Sequence, residues 1–364
     1  MMATGAATGT GRRFLERPVV EPGLNTYPQA ELAELFRRRL SSLEGSEQIR
    51  QMVGFVYEHS GIEQRHVEVS VPEIESRGGW YRLVNAATLS LATRVLTKLV
   101  RDDLPADSFD ALVVVSASYA GFPSLSRLLQ TELGMRLDAL CYDLTGLGCA
   151  GPTHGLHLAD MLITSGAARR VCVVCADAMG THGESRVHNQ VPDMSQLVAH
   201  CLASDGAAAV VVGAEPSADG CISWDGCQLD SRLWPDSLAE NDFTASEDNQ
   251  PLISVGKEIR TRLLDELGPT VSAAHPETTY FHPGGASLMR QLGASFPAFA
   301  PTLDISSKVL REHGNIGSAS VLWVLHEAWA LHDAGVRGFG PDLRLIALGP
   351  GIMSTQLRLT GVSK

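Results

Sequence analysis

The chain has 364 residues, 44% of them hydrophobic, and its 41 acidic and 29 basic side chains give a formal net charge of -12 at pH 7. That length can bury a large core, as two ordinary domains or one large duplicated unit. The acidic balance speaks against a nucleic-acid groove or an anionic membrane surface as the main partner.

The first 13 residues are rich in Ala, Thr and Gly and lack the apolar segment of a signal peptide, so residues 1–26 read as a partly disordered leader. No apolar run approaches the ~18 residues needed to span a bilayer. Seven cysteines, at 141, 149, 172, 175, 201, 221 and 227, are odd in number and lie mostly in apolar runs. That distribution argues against a secreted disulfide framework and for a reducing cytoplasm.

Apolar residues at helical spacing predict helices over 28–40 and 47–59, separated by the polar turn 41–46. A strand over 64–71 and a long helix over 85–100 follow. Residues 111–116 form a continuous β-branched run of the kind covered on both faces of a sheet. A helix over 123–133, a strand over 137–144, a helix over 151–165 and a strand over 170–176 then alternate as in a layered α/β fold. Residues 181–199 are polar and give no clear element, and 207–213 is another buried-type strand. Residues 219–249 carry few helix signals and read as irregular or hairpin structure. The alternation resumes with a helix over 254–267, a strand over 278–281, helices over 285–292 and 318–332, and strands over 343–348 and 354–359. Segments 123–129 and 285–292 each follow a strand and a short loop. With the repeated order, they point to two similar halves, 1–217 and 218–364, sharing one core.

Cys149 stands in Gly148-Cys149-Ala150-Gly151, at a predicted strand-to-helix junction. A thiolate at the first turn of a helix is stabilised by unpaired N–H groups and the helix dipole, so its pKa is expected well below ~8.5. The flanking glycines permit a tight turn and close approach of a substrate carbonyl to backbone amides, the layout of an oxyanion hole. Taken alone, a cysteine is more often a packing residue. Two other glycine-bounded junctions alter that balance. Phe281-His282-Pro283-Gly284-Gly285 fixes a histidine at a strand end, and His313-Gly314-Asn315-Ile316-Gly317-Ser318-Ala319 presents Asn315 before a helix. Cys172 and Cys175 are three apart inside a strand, face opposite ways and read as packing rather than metal binding.

These segments, with Ser204-Asp205-Gly206-Ala207-Ala208-Ala209 and Leu348-Gly349-Pro350-Gly351, resemble in order and spacing the condensing enzymes of the thiolase superfamily. The His-Pro-Gly-Gly and Gly-Pro-Gly forms are most similar to chalcone-synthase-like type III polyketide synthases, over about Tyr27 to Leu359. The resemblance implies a five-layered αβαβα thiolase-like fold and a homodimer. It further implies acyl transfer to Cys149, with Claisen-type condensation assisted by His282 and Asn315 as hydrogen-bond donors. It groups Ala117, Phe122, His182, Ala203, Gly349, Pro350 and Gly351 around the substrate pocket. Pro350 has no N–H, which leaves the second oxyanion donor open. No metal or redox cofactor is implied, only substrates carried on the phosphopantetheine of an acyl carrier protein or on coenzyme A.

Departures from the family pattern carry information too. The cationic positions for the coenzyme A nucleotide fall on Met52, Phe55 and His59, which favours an acyl carrier protein as the partner that delivers the chain. The gatekeeping aromatic is replaced at Ala203 and a pocket threonine at His182, changes that widen and re-polarise the cavity. In these respects the sequence resembles the stand-alone ketosynthases of myxobacterial antibiotic pathways, which join two carrier-bound β-keto chains into an α-pyrone. The alternative within the family is conventional extension by malonyl-coenzyme A.

Rivals from other classes are weaker. The order Cys, His, Asn, with 282 − 149 = 133 residues between the first two, matches papain-like proteases. Cys149, however, is followed by Ala-Gly-Pro and lies mid-chain, so the context of that motif is missing. A hydrolase elbow would need glycine where Leu147 stands. A non-catalytic partner of the same fold would not need the cysteine, histidine and asparagine together.

Overall fold

The computed structural model describes residues 11–76, 80–185, 191–238, 243–245, 251–253, 259–336 and 338–363. Strands β1 (Arg13–Leu15), β2 (Val19–Pro22) and β3 (Asn25–Pro28) lead into helices α1 (Gln29–Leu40) and α2 (Glu47–Glu58). Then come β4 (Gln64–Val67), α3 (Val71–Ser76), α4 (Trp80–Leu99), β5 (Ala111–Ser116), α5 (Leu125–Glu132), β6 (Leu140–Thr145) and α6 (Gly151–Thr164). The first half closes with β7 (Arg170–Ala178), α7 (Met179–Ser185), α8 (Met194–Leu202) and β8 (Asp205–Gly213). The second contains β9 (Ile222–Trp224), β10 (Gly226–Leu233), β11 (Phe243–Ala245), β12 (Pro251–Ile253), α9 (Ile259–Ser272), β13 (Thr279–Phe281), α10 (Ala286–Ser295), α11 (Ala300–His313), α12 (Ser320–Asp333), β14 (Asp342–Gly349) and β15 (Met353–Thr360).

Two sheets organise these elements. The larger runs β6-β5-β7-β8-β1-β9, with β2 also paired to β8, and the smaller runs β10-β15-β14-β13. Strand β5 is parallel to both β6 and β7, and β13 is parallel to β14. Helices α6 and α12 pack against strands of both sheets and so lie between them. On the far side of the larger sheet lie α4 and α5, and α9, α10 and α11 cover the far side of the smaller one. The layers are therefore helix, sheet, helix, sheet, helix.

Alternation along β5 explains why the larger sheet is buried on both faces. Val113 and Val115 join the central cluster with α6 and α12, while Leu112 and Val114 join the outer cluster with α4 and α5. Cys175 and Cys172 divide in the same way, which makes them packing residues. Each such fully buried Val or Leu contributes on the order of 2 kcal/mol of hydrophobic stabilisation.

Several expectations are corrected. Residues 13–22 are not leader but sheet, because β1 and β2 satisfy their backbone groups on β8; residues 1–10 lie outside the described residues. The strand expected over 64–71 stops at Val67, and Val71 opens a helix instead. The unassigned stretch 181–199 contains most of α7 and most of α8, the latter opened by a capping box between Asp193 and Gln196. In 219–249, β10 is a full eight-residue strand paired with β15, its polar residues facing outward. The helix expected over 254–267 is α9, shifted towards its C-terminus, with residues 254–258 outside the described residues. Helix α11 had no sequence expectation at all.

Candidate active site

Three junctions meet near one end of the central layer. Strand β6 ends at Thr145, Gly146 and Gly148 take left-handed backbone angles (φ 75° and 50°), and Gly148–Ala150 form a short 3-10 turn that runs into α6. Only glycine adopts that angle at position 148 without strain, and a side chain there would strike Pro350 at 2.8 Å. Cys149 is thus held in the first turn of a helix whose amides have no acceptors within the helix. From the other half, Gly349 at the end of β14 lies so close to Leu147 and Ala150 that an added Cβ would sit 2.7 Å from the Leu147 carbonyl. The Gly-Pro-Gly loop therefore closes directly over the cysteine turn.

Asn315 follows α11 after Gly314, whose φ of 72° lets the chain leave the helix. Its Oδ1 accepts from the Gly317 N–H at 3.0 Å and the Ser320 hydroxyl at 3.3 Å. An N–H can only donate, so the amide cannot be flipped, and its Nδ2 is left as a donor. The Cys149 Sγ lies 3.9 Å from the same Oδ1. His282 follows β13, and its N–H donates to the Ile346 carbonyl of β14 at 2.8 Å. In the β13–β14 register it lies level with Ala347, two residues short of Gly349. The imidazole is buried, and its Nδ1 has no hydrogen-bond partner among the described residues. No hydrogen bond joins His282 to Cys149 among the described residues; such contacts tighten when substrate binds.

The electrostatics reverse one expectation. Burial, and secondarily the Asp177 carboxylate, pushes the Cys149 thiol up to about 12, and burial pushes His282 down to about 4. The helix N-terminus is outweighed, and an acceptor beside the sulfur further favours S–H. Although Cys149 keeps some exposed surface, both shifts favour a neutral thiol and a neutral imidazole in the substrate-free site, with the thiolate forming as its proton is transferred.

Asp177, at the end of β7, was not singled out from the sequence. Its buried carboxylate accepts from the N–H groups of Ala117 (2.7 Å), Ser118 (3.0 Å) and Ser318 (2.7 Å) and from the Ser116 hydroxyl (3.2 Å). It thereby ties the end of β5 to the turn after Asn315. A carboxylate inside the run Arg170–Ala178 was the available signal, since a buried charge requires such partners.

The pocket residues divide. Ala203 is buried and forms an isolated parallel bridge with Asn315. The Ala117 N–H belongs to the Asp177 hub, and Gly349, Pro350 and Gly351 overlie the cysteine turn. His182 is buried in α7 with its ring edge-on to Trp80 at 5.8 Å. Phe122 is fully exposed on the β5–α5 loop. Among the described residues, no group of three or more His, Cys, Asp or Glu suited to a metal ion occurs and no helix is long and apolar enough to cross a membrane.

Family models for the N-terminal and C-terminal domains of chalcone and stilbene synthases match residues 25–216 and 255–363. The chain is 28% identical over 350 residues to 1,3,6,8-tetrahydroxynaphthalene synthase of Streptomyces peucetius subsp. caesius, covering 89% of this chain and 87% of that one. It is 27% identical over 298 residues to type III polyketide synthase 21 of Oryza sativa subsp. japonica, covering 77% and 74%. Among solved structures, CsyB complexed with CoA-SH superposes with a TM-score of 0.82 at 19% identity, over 96% of this chain and all of that one. The 1,3,6,8-tetrahydroxynaphthalene synthase of Streptomyces coelicolor A3(2) gives 0.81 at 21%, over the same shares. At those identities the superpositions speak for the fold, the thiolase-like αβαβα arrangement. With both domain models matched in order, the chain belongs to the chalcone and stilbene synthase family, as a type III polyketide synthase, an acyltransferase that builds polyketides by Claisen condensation.

Proposed function

We propose that this enzyme loads an acyl chain onto Cys149 and joins it to a second, carrier-protein-bound β-keto chain, closing an α-pyrone in antibiotic biosynthesis. The observation that carries this reading is the Cys149 Sγ lying 3.9 Å from Asn315 Oδ1, at the end of the central layer where β14 also holds His282. His282 takes the thiol proton as sulfur attacks the thioester carbonyl, and the departing pantetheine thiolate takes it back. The carbon between the two carbonyls of the second chain is acidic enough to pass a proton to the neutral His282 imidazole without decarboxylation. Its enolate oxygen accepts from the His282 imidazolium and from the Asn315 Nδ2 while the carbon attacks the Cys149 thioester and expels the cysteine thiolate, which takes the proton back from His282. An enol oxygen of the product then attacks the remaining thioester, forming the lactone and releasing the carrier thiol.

Delivery by a carrier protein is supported by α2. Phe55 is 58% exposed and stacks on His59 at 4.2 Å, so an aromatic pair stands where a nucleotide clamp would need cations. A homodimer is supported by β6, the outer strand of the larger sheet, and by the exposed Leu140 and Phe122 nearby. Light scattering of the purified chain tests this, and a monomer at micromolar concentration contradicts it.

The second reading, extension by malonyl-coenzyme A, is favoured by CsyB having been solved with CoA-SH. Incubation with 3-oxoacyl thioesters alone separates the two. Pyrone without any malonyl donor supports chain joining; product only when malonyl-coenzyme A is added supports extension. A chain that never acylates would instead be a non-catalytic partner of the same fold.

A further inference from the structure

Asn315 is held from behind by a strip of backbone that is itself held by one buried arginine. The Asn315 N–H donates to the Leu202 carbonyl and the Ser204 N–H donates to the Asn315 carbonyl, both at 2.9 Å, so residue 315 lies bridged beside Ala203. Residues 202–204 leave the C-terminus of α8, where the last carbonyls have no donors within the helix. Arg65 of β4, only 1% exposed, supplies them: its Nη1 donates to the carbonyls of His200 and Ala203, each at 2.7 Å. Its Nε donates to Gln29 Oε1 at 2.9 Å, and its Nη2 lies 3.5 Å from Glu184 Oε1, a carboxylate also paired with Arg39. The arginine stem is packed as tightly as its head, for a Cβ on Gly314 would come within 3.2 Å of Arg65 Cγ.

We propose that Arg65 is a positioning residue for Asn315, fixing the 202–204 strip and through it the amide that serves condensation. This rests on Asn315 being the enolate donor proposed above. Cys149 hangs on α6 and on the Gly-Pro-Gly loop, and His282 hangs on β14, none of which Arg65 hydrogen-bonds. Loading therefore proceeds without Arg65, whereas stabilising an enolate requires the donor at a defined distance. A planar fork reaches Gln29, two carbonyls and Glu184 at once; an ammonium group cannot.

The test compares Arg65→Lys, Arg65→Gln and Asn315→Ala with wild type as full-length chains. Loading is read by intact mass after mixing with 3-oxohexanoyl-N-acetylcysteamine, and condensation by product release with the same thioester or malonyl-coenzyme A, whichever the wild type uses. Because loading needs a folded site, it reports folding internally, and Arg65→Lys keeps the charge opposite Glu184. The expected result is loading within about twofold of wild type and condensation lower by on the order of 10- to 100-fold, the penalty of a misplaced catalytic group. Loading and condensation falling in parallel would mean a general structural role and overturn the proposal. So would wild-type condensation in both Arg65 variants while Asn315→Ala fails. If Asn315→Ala itself condenses normally, the role of Asn315 falls, and this inference falls with it.

Discussion

The pH dependence of Cys149 alkylation in the substrate-free enzyme follows from its burial. A thiol pushed up to about 12 is ionised at pH 8 to roughly 10⁻⁴, against about a quarter for a free cysteine of pKa ~8.5. That is a deficit of on the order of 10³ in thiolate. Intrinsic nucleophilicity rises with basicity, with a Brønsted slope of ~0.4–0.5, and recovers about 1.5 decades. The net expectation is alkylation by iodoacetamide roughly 10²-fold slower than for free cysteine, rising about tenfold per pH unit through pH 9 with no plateau. Peptide mapping must follow Cys149 itself, because Cys141, Cys221 and Cys227 are also partly exposed. A rate that levels off between pH 5 and 8 would show a preformed thiolate–imidazolium pair. It would refute the claim that burial outweighs the helix N-terminus here.

Three further outcomes are expected. Gly317→Ala places a Cβ 2.5 Å from Asp177 Oδ2 at a φ of 60°, so it should cost about 2–4 kcal/mol in urea denaturation, whereas Gly166→Ala, in open space at φ 76°, should cost only about 1–2 kcal/mol; equal losses would remove the Asp177 hub from the explanation. Glu184 is held down to about 2 by Arg39, His200 and Arg65 against the cost of burial, a depressed carboxylate whose stabilisation is present above pH ~4.5 and lost as pH falls towards 2. Glu184→Gln should therefore cost roughly 3 kcal/mol or more at pH 7 and progressively less at pH 4 and 3, and a pH-independent loss contradicts the ion-pair origin. Ala203→Phe, filling the space beside Asn315, should lower loading of a dodecanoyl thioester more than that of an acetyl thioester, by on the order of tenfold or more; equal effects on both would show that position 203 does not face the chain.

The features legible in the sequence are those set by local pattern. Ala111–Ser116 is a β-branched run with no polar residue before Ser116, and it lies in the middle of a sheet covered on both sides. The glycines around Cys149, His282 and Asn315 marked three junctions because each turn demands a special backbone angle or a close approach. Helix α11 was missed although its buried Thr302, Leu303, Ile305, Ser306, Val309 and Leu310 keep helical spacing. Two of those positions are hydroxyls, which blur the apolar pattern, although Pro301 suits the first turn of a helix. β1 and β2 are too short to show alternation and become strands because β8, and for β1 also β9, supply partners. The direction of the Cys149 shift was illegible for a related reason: the helix end is local, but the desolvation that overrides it comes from both halves of the chain. Asp177 and Arg65 depend on carbonyls and amides far away in sequence, so their residue types were visible and their roles were not.

The central claim is that Cys149 carries the growing chain. Intact-protein mass spectrometry of wild type and Cys149→Ala, each mixed with 3-oxohexanoyl thioesters of coenzyme A and of a carrier protein, tests it most directly. One acyl adduct on wild type, mapped to Cys149 and absent from the variant, is the expected result. Equal acylation of Cys149→Ala, or an adduct on any of the other six cysteines, would contradict it.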